Sequence, residues 1–389
     1  MNSDKEKLTT KFTNITGDLF MDYASIMVHF GITDPIVSAE PFGSGHINDT
    51  IHVVTAGSGK EHSYVLQRLN TNVFPDPDIL MNNAVQVTQY LAKIVEEKGG
   101  DVSRETVHFY PADNGKYYYT DENGKVWRLE DLISHTHSFD LCTSAEMFEQ
   151  TGVAFGSFLS DLSSFPADRL GEVIKNFHNT RVRFETFTKE VKADKAGRLD
   201  SCRKEVEFAL ARKELTEVLV KELEEEKIPL RVTHNDTKIN NILMDETTNQ
   251  PVCIIDLDTI MPGAAAYDFG DSIRFGASNA EEDERDLSKV FMRMDLFEAF
   301  TRGYMRAVGK KLSLAEARSL AEGSIVITFE TGIRFLGDYL NGDVYFKVAR
   351  PQHNLDRART QLKLVEDMEG KLPQMLEIVE KYWQQAQQQ

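Results

Sequence analysis

Apolar and polar positions along the chain follow two different rhythms. In the first third the period is largely that of strands: Ile36–Phe42 reads as extended, and Thr50–Thr55 and Ser63–Leu69 alternate as a hairpin across the turn Ala56–Gly59. Ahead of them, Asp18–Phe30 has the spacing of a short amphipathic helix. The prolines and acids of Pro75-Asp76-Pro77-Asp78 suit a first turn and predict a helix running to about Lys98. Further strands are expected at Thr106–Tyr110, Lys116–Thr120 and Lys125–Leu132, separated by Asn-Gly turns at Asn114 and Asn123. From about Thr143 the helical period takes over and holds to the C-terminus, with one interruption at Leu230–Ile260. There, two short β-like stretches, Ile242–Met244 and Val252–Leu257, bracket the turn Asp245–Pro251. The predicted class is α+β with two lobes: a small strand-rich lobe over residues 1–133 and a larger, mainly helical lobe over 134–389.

Composition narrows the function classes. With 389 residues, 41% hydrophobic and 27% charged, the chain has enough apolar surface for two cores. No segment holds the roughly 18 consecutive apolar residues of a bilayer span, and the charged start MNSDKEKLTTKFTNIT carries no secretory signal, so a cytoplasmic protein without a membrane partner is expected. A net charge of −18 without a Lys/Arg stripe argues against a nucleic-acid partner, and faces such as Lys221–Lys227 read as solvated helix surface. Cys142, Cys202 and Cys253 are odd in number and far apart, which suits neither a disulfide framework nor a zinc site. The N-x-[ST] triplets at Asn14, Asn48 and Asn235 carry no meaning in a cytosolic chain.

Candidate chemistry sits in the interruption. His234-Asn235-Asp236-Thr237-Lys238-Ile239-Asn240-Asn241 fits H-x-D-x-K-x-x-N, the pattern of a kinase catalytic loop. In that pattern Asp236 accepts the proton of an acceptor hydroxyl, Lys238 meets the transferring phosphate, and Asn241 turns back to offer a carbonyl oxygen to Mg²⁺. Asp256 follows the apolar run Val252–Ile255; a carboxylate ending a buried strand needs a partner, and Mg²⁺ is the partner expected, with Asp258 adding a water-mediated contact. Each element alone is ordinary loop or cap material. Their order along the chain is that of the phosphoryl-transfer template, with ATP as donor.

Two further motifs are weaker. Gly43-Ser44-Gly45, between strands, suits backbone amides cradling phosphates, and His46 and Asn48 either face the acceptor or fix the loop. Asp268-Phe269-Gly270-Asp271 imitates a metal-binding triplet but stands at a helix start well past the apolar strand, where its carboxylates are expected to cap amides or brace the neighbouring loop.

With these residues in hand, the chain resembles the aminoglycoside phosphotransferase and choline kinase group of small-molecule kinases, which has a protein-kinase-like two-lobed fold. The likeness rests on EPFGSGHINDT from Glu40, RVTHNDTKINNILMD from Arg231, IIDLDTIMPG from Ile254, YDFGDSIRFGAS from Tyr267 and RFLGDYLNGDVYF from Arg334. It extends to members of that group that phosphorylate N-acetylhexosamines at the anomeric hydroxyl. It implies that Asp236 is the base, that Asn241 and Asp256 hold the metal, and that His46, Asn48, Arg334 and Tyr345 line a sugar pocket. A departure from the wider kinase pattern is Tyr64-Val65-Leu66-Gln67, which lacks the phosphate-gripping lysine, while Asp76–Ala92 offers no glutamate to pair with one. Gln67, Arg68 and Lys238 are the candidates to hold the phosphates instead. Fold and loop leave open choline, an aminoglycoside, homoserine or another small alcohol as acceptor, and a non-catalytic nucleotide or sugar binder as a rival of another class. A monomer or weak homo-oligomer is expected.

Overall fold

The computed structural model describes residues 23–43 and 47–388. The chain divides into two compact units between His135 and Thr136.

The first unit is built on a five-stranded antiparallel sheet of β1 (Ile36–Pro41), β2 (Asp49–Gly57), β3 (Lys60–Leu69), β4 (Tyr119–Thr120) and β5 (Val126–Asp131), in the order β1-β2-β3-β5-β4. The β2–β3 register, Thr55 opposite His62 and Asp49 opposite Arg68, is set by a two-residue turn in which Ser58 (φ 52°) and Gly59 (φ 79°) both adopt the left-handed region such a turn demands. Ile51 and Val53 on β2, Leu66 on β3 and Leu129 on β5 form a core with Ile26, Met27 and Phe30. The last three belong to helix α1, residues 23–29, and the residue after it; the rest of the predicted Asp18–Phe30 helix lies outside the described residues. Helix α2 (Pro77–Lys98) is capped by Asp76, whose carboxylate accepts from the amides of Asp78 (3.0 Å) and Ile79 (3.1 Å), and ends at left-handed Gly99. A single turn, α3 (Val102–Glu105), follows.

Two strand expectations are corrected. Thr106–Tyr110 contributes only one bridge, Phe109 to Glu130, and of Lys116–Thr120 only Tyr119 and Thr120 are strand. The first segment touches β5 only around that bridge, where Tyr110 donates to the Leu129 carbonyl (2.9 Å) and His108 accepts from the Asp131 amide (3.2 Å); in the second, the Asn114 turn closes the Lys116 carbonyl on the Ala112 amide (2.7 Å) instead of on the sheet.

The second unit is helical: α4 (Ala145–Asp161), α5 (Thr180–Ala193), α6 (Arg203–Leu210), α7 (Val218–Glu224), α8 (Ala265–Gly276), α9 (Met294–Val308), α10 (Leu314–Asn341) and α11 (His353–Gln388). Glycine allows two of its crossings. A Cβ at Gly303 would lie 2.1 Å from the Glu149 carbonyl oxygen, so α9 lies backbone to backbone on α4; a Cβ at Gly270 would lie 2.5 Å from the Gly323 carbonyl oxygen, so α8 lies equally close to α10. Between these helices, β6 (Thr136–His137), β8 (Ile242–Asp245) and β9 (Pro251–Ile254) form one small sheet, and β7 (Arg231–Thr233) pairs with β10 (Met261–Gly263) in another. No helix among the described residues is long and apolar enough to cross a membrane.

Candidate functional site

The segment between β7 and β8 carries Asp236, and α8 holds that segment in place. Asp268 accepts from the amides of His234 (2.8 Å) and Asn235 (2.7 Å) through its two carboxylate oxygens, and Asp271 accepts from the amide of Thr237 (3.0 Å). The Thr237 hydroxyl donates to the Asp268 carbonyl (2.6 Å), and Ser272 donates back to the Thr237 carbonyl (3.0 Å). Phe269 points the other way, edge-on to Phe297, Phe300 and Tyr304 in the core. Every residue of the Asp-Phe-Gly-Asp motif therefore supports the loop or its helix. The two carboxylates brace the loop, the ring anchors the helix, and Gly270 allows the crossing with α10.

His234 locks the loop from within. It is fully buried, and its Nε2 lies 2.9 Å from the Ile255 carbonyl oxygen, which can only accept. The proton is thus on Nε2, and Nδ1 accepts from the Asp236 amide (3.3 Å).

The Asp236 carboxylate is held from two sides. Lys238 Nζ lies 2.7 Å from Oδ1, and Asn241 Nδ2 donates to Oδ2 (3.2 Å) and to the Asp236 main-chain oxygen (2.8 Å). Lys238 would be pushed down by burial, but the charges of Asp236 and Asp271 outweigh this and raise it above its ordinary value. Burial likewise pushes Asp271 up, and Arg274 and Lys238 more than reverse it, holding it below the usual carboxylate range. Asp268, with no cation as close, is pushed up by burial despite its two amide hydrogen bonds.

The β8–β9 hairpin brings Asn241 and Asp256 to one end. Ile242 pairs with Ile254, and the Ile255 amide donates to the Asn241 carbonyl (2.9 Å), one residue before Asp256. The expectation of a buried strand-end carboxylate is corrected: β9 stops at Ile254, and Asp256 is exposed. What distinguishes Asp256 is its backbone, left-handed at φ 60° and ψ 58°, a conformation that costs of order 1–3 kcal/mol in a non-glycine residue. It is Asp258 that is buried, at 3% exposure.

These residues suit a magnesium ion. Because Asn241 uses its amide nitrogen on Asp236, its side-chain oxygen is directed away as a hard ligand, and Asp256 adds a carboxylate at the same hairpin end. Among the described residues no group of three or more His, Cys, Asp or Glu could hold a metal. A two-side-chain site is what Mg²⁺ uses when phosphate oxygens and water complete its shell.

In the first unit, Gly43 is left-handed (φ 78°), while Ser44, Gly45 and His46 lie outside the described residues. Asn48 is tied down by the Asn70 amide (2.9 Å). Gln67 donates to Thr50 (3.0 Å) and accepts from Arg128 Nε (2.8 Å), and Arg68 pairs with Asp49. Arg128 belongs to none of the motifs, yet its side chain is buried beside the position where a lysine is usual. An arginine inside the apolar run Val126–Leu129 was the available signal.

Arg334 and Tyr345 meet at the end of α10. The Arg334 guanidinium lies 5.9 Å from the Tyr345 ring centroid, 5.6 Å from Phe346 and 5.5 Å from Phe177. Asp338 accepts from the amides of Val344, Tyr345 and Phe346 and so fixes this loop, leaving the Tyr345 ring 60% exposed. Arg183, likewise outside the motifs, lies 5.7 Å from the same Phe177 ring, and burial followed by the charge of Arg334 lowers its pKa. His178 and Glu330 lie beside this cluster; the signal there was a glutamate in the otherwise uncharged stretch Ile325–Ile333.

The sequence profile of a phosphotransferase enzyme family, APH, matches residues 38–305. Among solved structures, the fold is similar to an aminoglycoside phosphotransferase from Alicyclobacillus acidocaldarius (16% identity, 89% of this chain and 93% of that one, TM-score 0.56). It is also similar to a spectinomycin phosphotransferase in complex with ADP and spectinomycin (13%, 90% and 98%, TM-score 0.55). A third similar structure is a choline kinase from Cryptosporidium parvum (14%, 89% and 93%, TM-score 0.55). At these identities the structures speak for the protein-kinase-like fold alone, whereas the profile spans more than half of the chain. The chain belongs to the phosphotransferase enzyme family.

Proposed function

We propose that this protein is an N-acetylhexosamine 1-kinase, transferring the γ-phosphoryl group of ATP to the anomeric hydroxyl of N-acetylglucosamine or N-acetylgalactosamine. The observation that carries the chemistry is the Asp236 carboxylate, fixed between Lys238 and Asn241 on a loop braced from α8. Asp236 orients the C1 hydroxyl and takes its proton late in transfer, as the sugar oxygen bonds to the γ-phosphorus and the bond from that phosphorus to the bridging oxygen breaks, releasing ADP. The anomeric hydroxyl is more acidic than an ordinary alcohol, so a carboxylate suffices as base. Lys238 supplies positive charge beside the transferring group, while Gly43, Ser44, Gly45 and Gln67 hold the nucleotide phosphates. Asn241 and Asp256 would hold Mg²⁺, with Asp258 behind them; the ion would neutralise charge on the phosphate oxygens.

The acceptor assignment draws its support from Arg183 and Arg334. Both guanidiniums flank Phe177, and the charges of Glu330 and Glu190 only partly offset that of Arg183. Such a surface disfavours choline or an aminoglycoside and suits a neutral polyol that stacks on aromatic rings and accepts from arginine. His46, Asn48, Arg334 and Tyr345 are assigned to that sugar.

Gln67 in place of lysine favours the second reading, a non-catalytic binder of nucleotide or sugar. Measuring ADP release with N-acetylhexosamines, choline, homoserine and aminoglycosides separates these readings. Turnover confined to N-acetylhexosamines is expected; turnover only with a cationic acceptor overturns the sugar assignment, and no turnover with any acceptor favours the binder.

A further inference from the structure

His178 precedes α5 and faces Glu330 of α10 across 152 residues of sequence. Its Nδ1 lies 2.9 Å from Glu330 Oε1, and the Thr180 hydroxyl donates to Oε2 (2.7 Å). Glu330 is 1% exposed; burial pushes its pKa up, but His178, Arg334 and Arg183 outweigh that and keep it ionised. An ionised carboxylate only accepts, so the proton between the two belongs to Nδ1 of His178. Nε2, the other ring nitrogen, is left to find a hydrogen-bond partner of its own.

That nitrogen is buried and has no hydrogen-bond partner, on a side chain that is 8% exposed. A buried polar atom left without a partner is costly, so an arrangement that creates one invites a ligand to fill it. His178 lines a cavity of about 220 Å³ shared with Phe177, Asn235, Met261 and Tyr267. Asn235 immediately precedes Asp236, and the ring of Phe177 is the one flanked by Arg183 and Arg334. The cavity is smaller than the roughly 300–1,000 Å³ of sites for drug-sized ligands, which restricts its occupant to a fragment on the scale of one sugar ring.

We infer that His178 is an acceptor-binding residue: its Nε2 exchanges a hydrogen bond with one hydroxyl or the amide of the acceptor, and Glu330 with Thr180 are positioning residues that fix the ring for it. This deepens the proposed function and rests on it for the acceptor's chemistry.

The test compares wild type, His178→Phe and His178→Gln on whichever acceptor of the panel the wild type phosphorylates best, and on analogues of it that each lack one hydroxyl or the amide. His178→Phe is expected to raise the acceptor KM about tenfold while leaving the ATP KM within about twofold. On one analogue, the one missing the group that His178 holds, wild type and variant should have the same KM. His178→Gln, which reaches the same position with a polar atom, should recover part of the loss; it also decides the matter through the analogues if the phenylalanine variant does not fold. An equal loss on every analogue, or equal changes in acceptor and ATP KM, means that Nε2 serves the fold or a water only, and overturns the inference. A best acceptor other than an N-acetylhexosamine overturns the sugar assignment but leaves this test of His178 intact. No turnover with any acceptor overturns both.

Discussion

Asn241 Nδ2 donates to the main-chain oxygen of Asp236 at 2.8 Å, so the fold itself ties together two residues five positions apart in the loop. The same amide reaches Asp236 Oδ2, which turns the Asn241 oxygen away from the carboxylate. Position of the proposed base and availability of the proposed metal ligand thus depend on one side chain.

Replacing that side chain should damage both roles. Asn241→Ala is expected to raise the Mg²⁺ concentration needed for half-maximal rate at least about tenfold and to lower kcat at saturating Mg²⁺. A magnesium titration of the rate checks it; an unchanged midpoint removes Asn241 from the metal site.

Asp236→Asn keeps the volume and the contact with Asn241 while removing the base. Turnover should fall by about 10²–10⁴-fold, with the ATP KM within a fewfold of wild type. Steady-state kinetics on both substrates measures this, and turnover near that of wild type defeats the assigned role.

Lys238 is held above its ordinary pKa of 10.5 because the charges of Asp236 and Asp271 outweigh its burial. A raised lysine stays protonated as pH climbs through its ordinary value, so kcat should show no alkaline fall from this group below about pH 10. Lys238→Met should lower kcat by about 10²–10³-fold at all pH values, the scale of losing one charged donor. A kcat profile of wild type that falls near pH 8 would give Lys238 a different environment from the one described.

Asp271 has the opposite sign. Its folded-state pKa lies below the ordinary 3.8, because Arg274 and Lys238 outweigh its burial. The stability it contributes is therefore complete above its unfolded pKa and is lost as pH falls through the lower folded value. Melting temperature should drop more steeply below about pH 4 in wild type than in Asp271→Asn. Parallel slopes in thermal melts over that range would contradict the charge pairing.

Much of the loop's architecture was legible because it is local in sequence. His234 to Asn241 is a contiguous pattern, and the β2–β3 hairpin follows from alternation and a glycine turn. The acidic pair of Asp-Phe-Gly-Asp was readable as a brace, since its place at a helix start already argued against metal binding. What escaped the sequence depends on distant partners. His178 meets Glu330 across 152 residues, and Arg128 meets Gln67 across 61, and no periodicity announces either pair. Asp256 is exposed against expectation for a different reason: a left-handed turn ends the strand early, and nothing in Val-Cys-Ile-Ile-Asp-Leu-Asp encodes that bend.

Reaction class and position of transfer are both read from the mass and ³¹P spectrum of the product formed from ATP, Mg²⁺ and an N-acetylhexosamine. One added phosphate whose phosphorus couples to the anomeric proton is expected, and no such product with Asp236→Asn. Phosphate on another hydroxyl of the sugar, or ATP consumed only by hydrolysis, would contradict the assignment of Asp236 as base for the C1 hydroxyl.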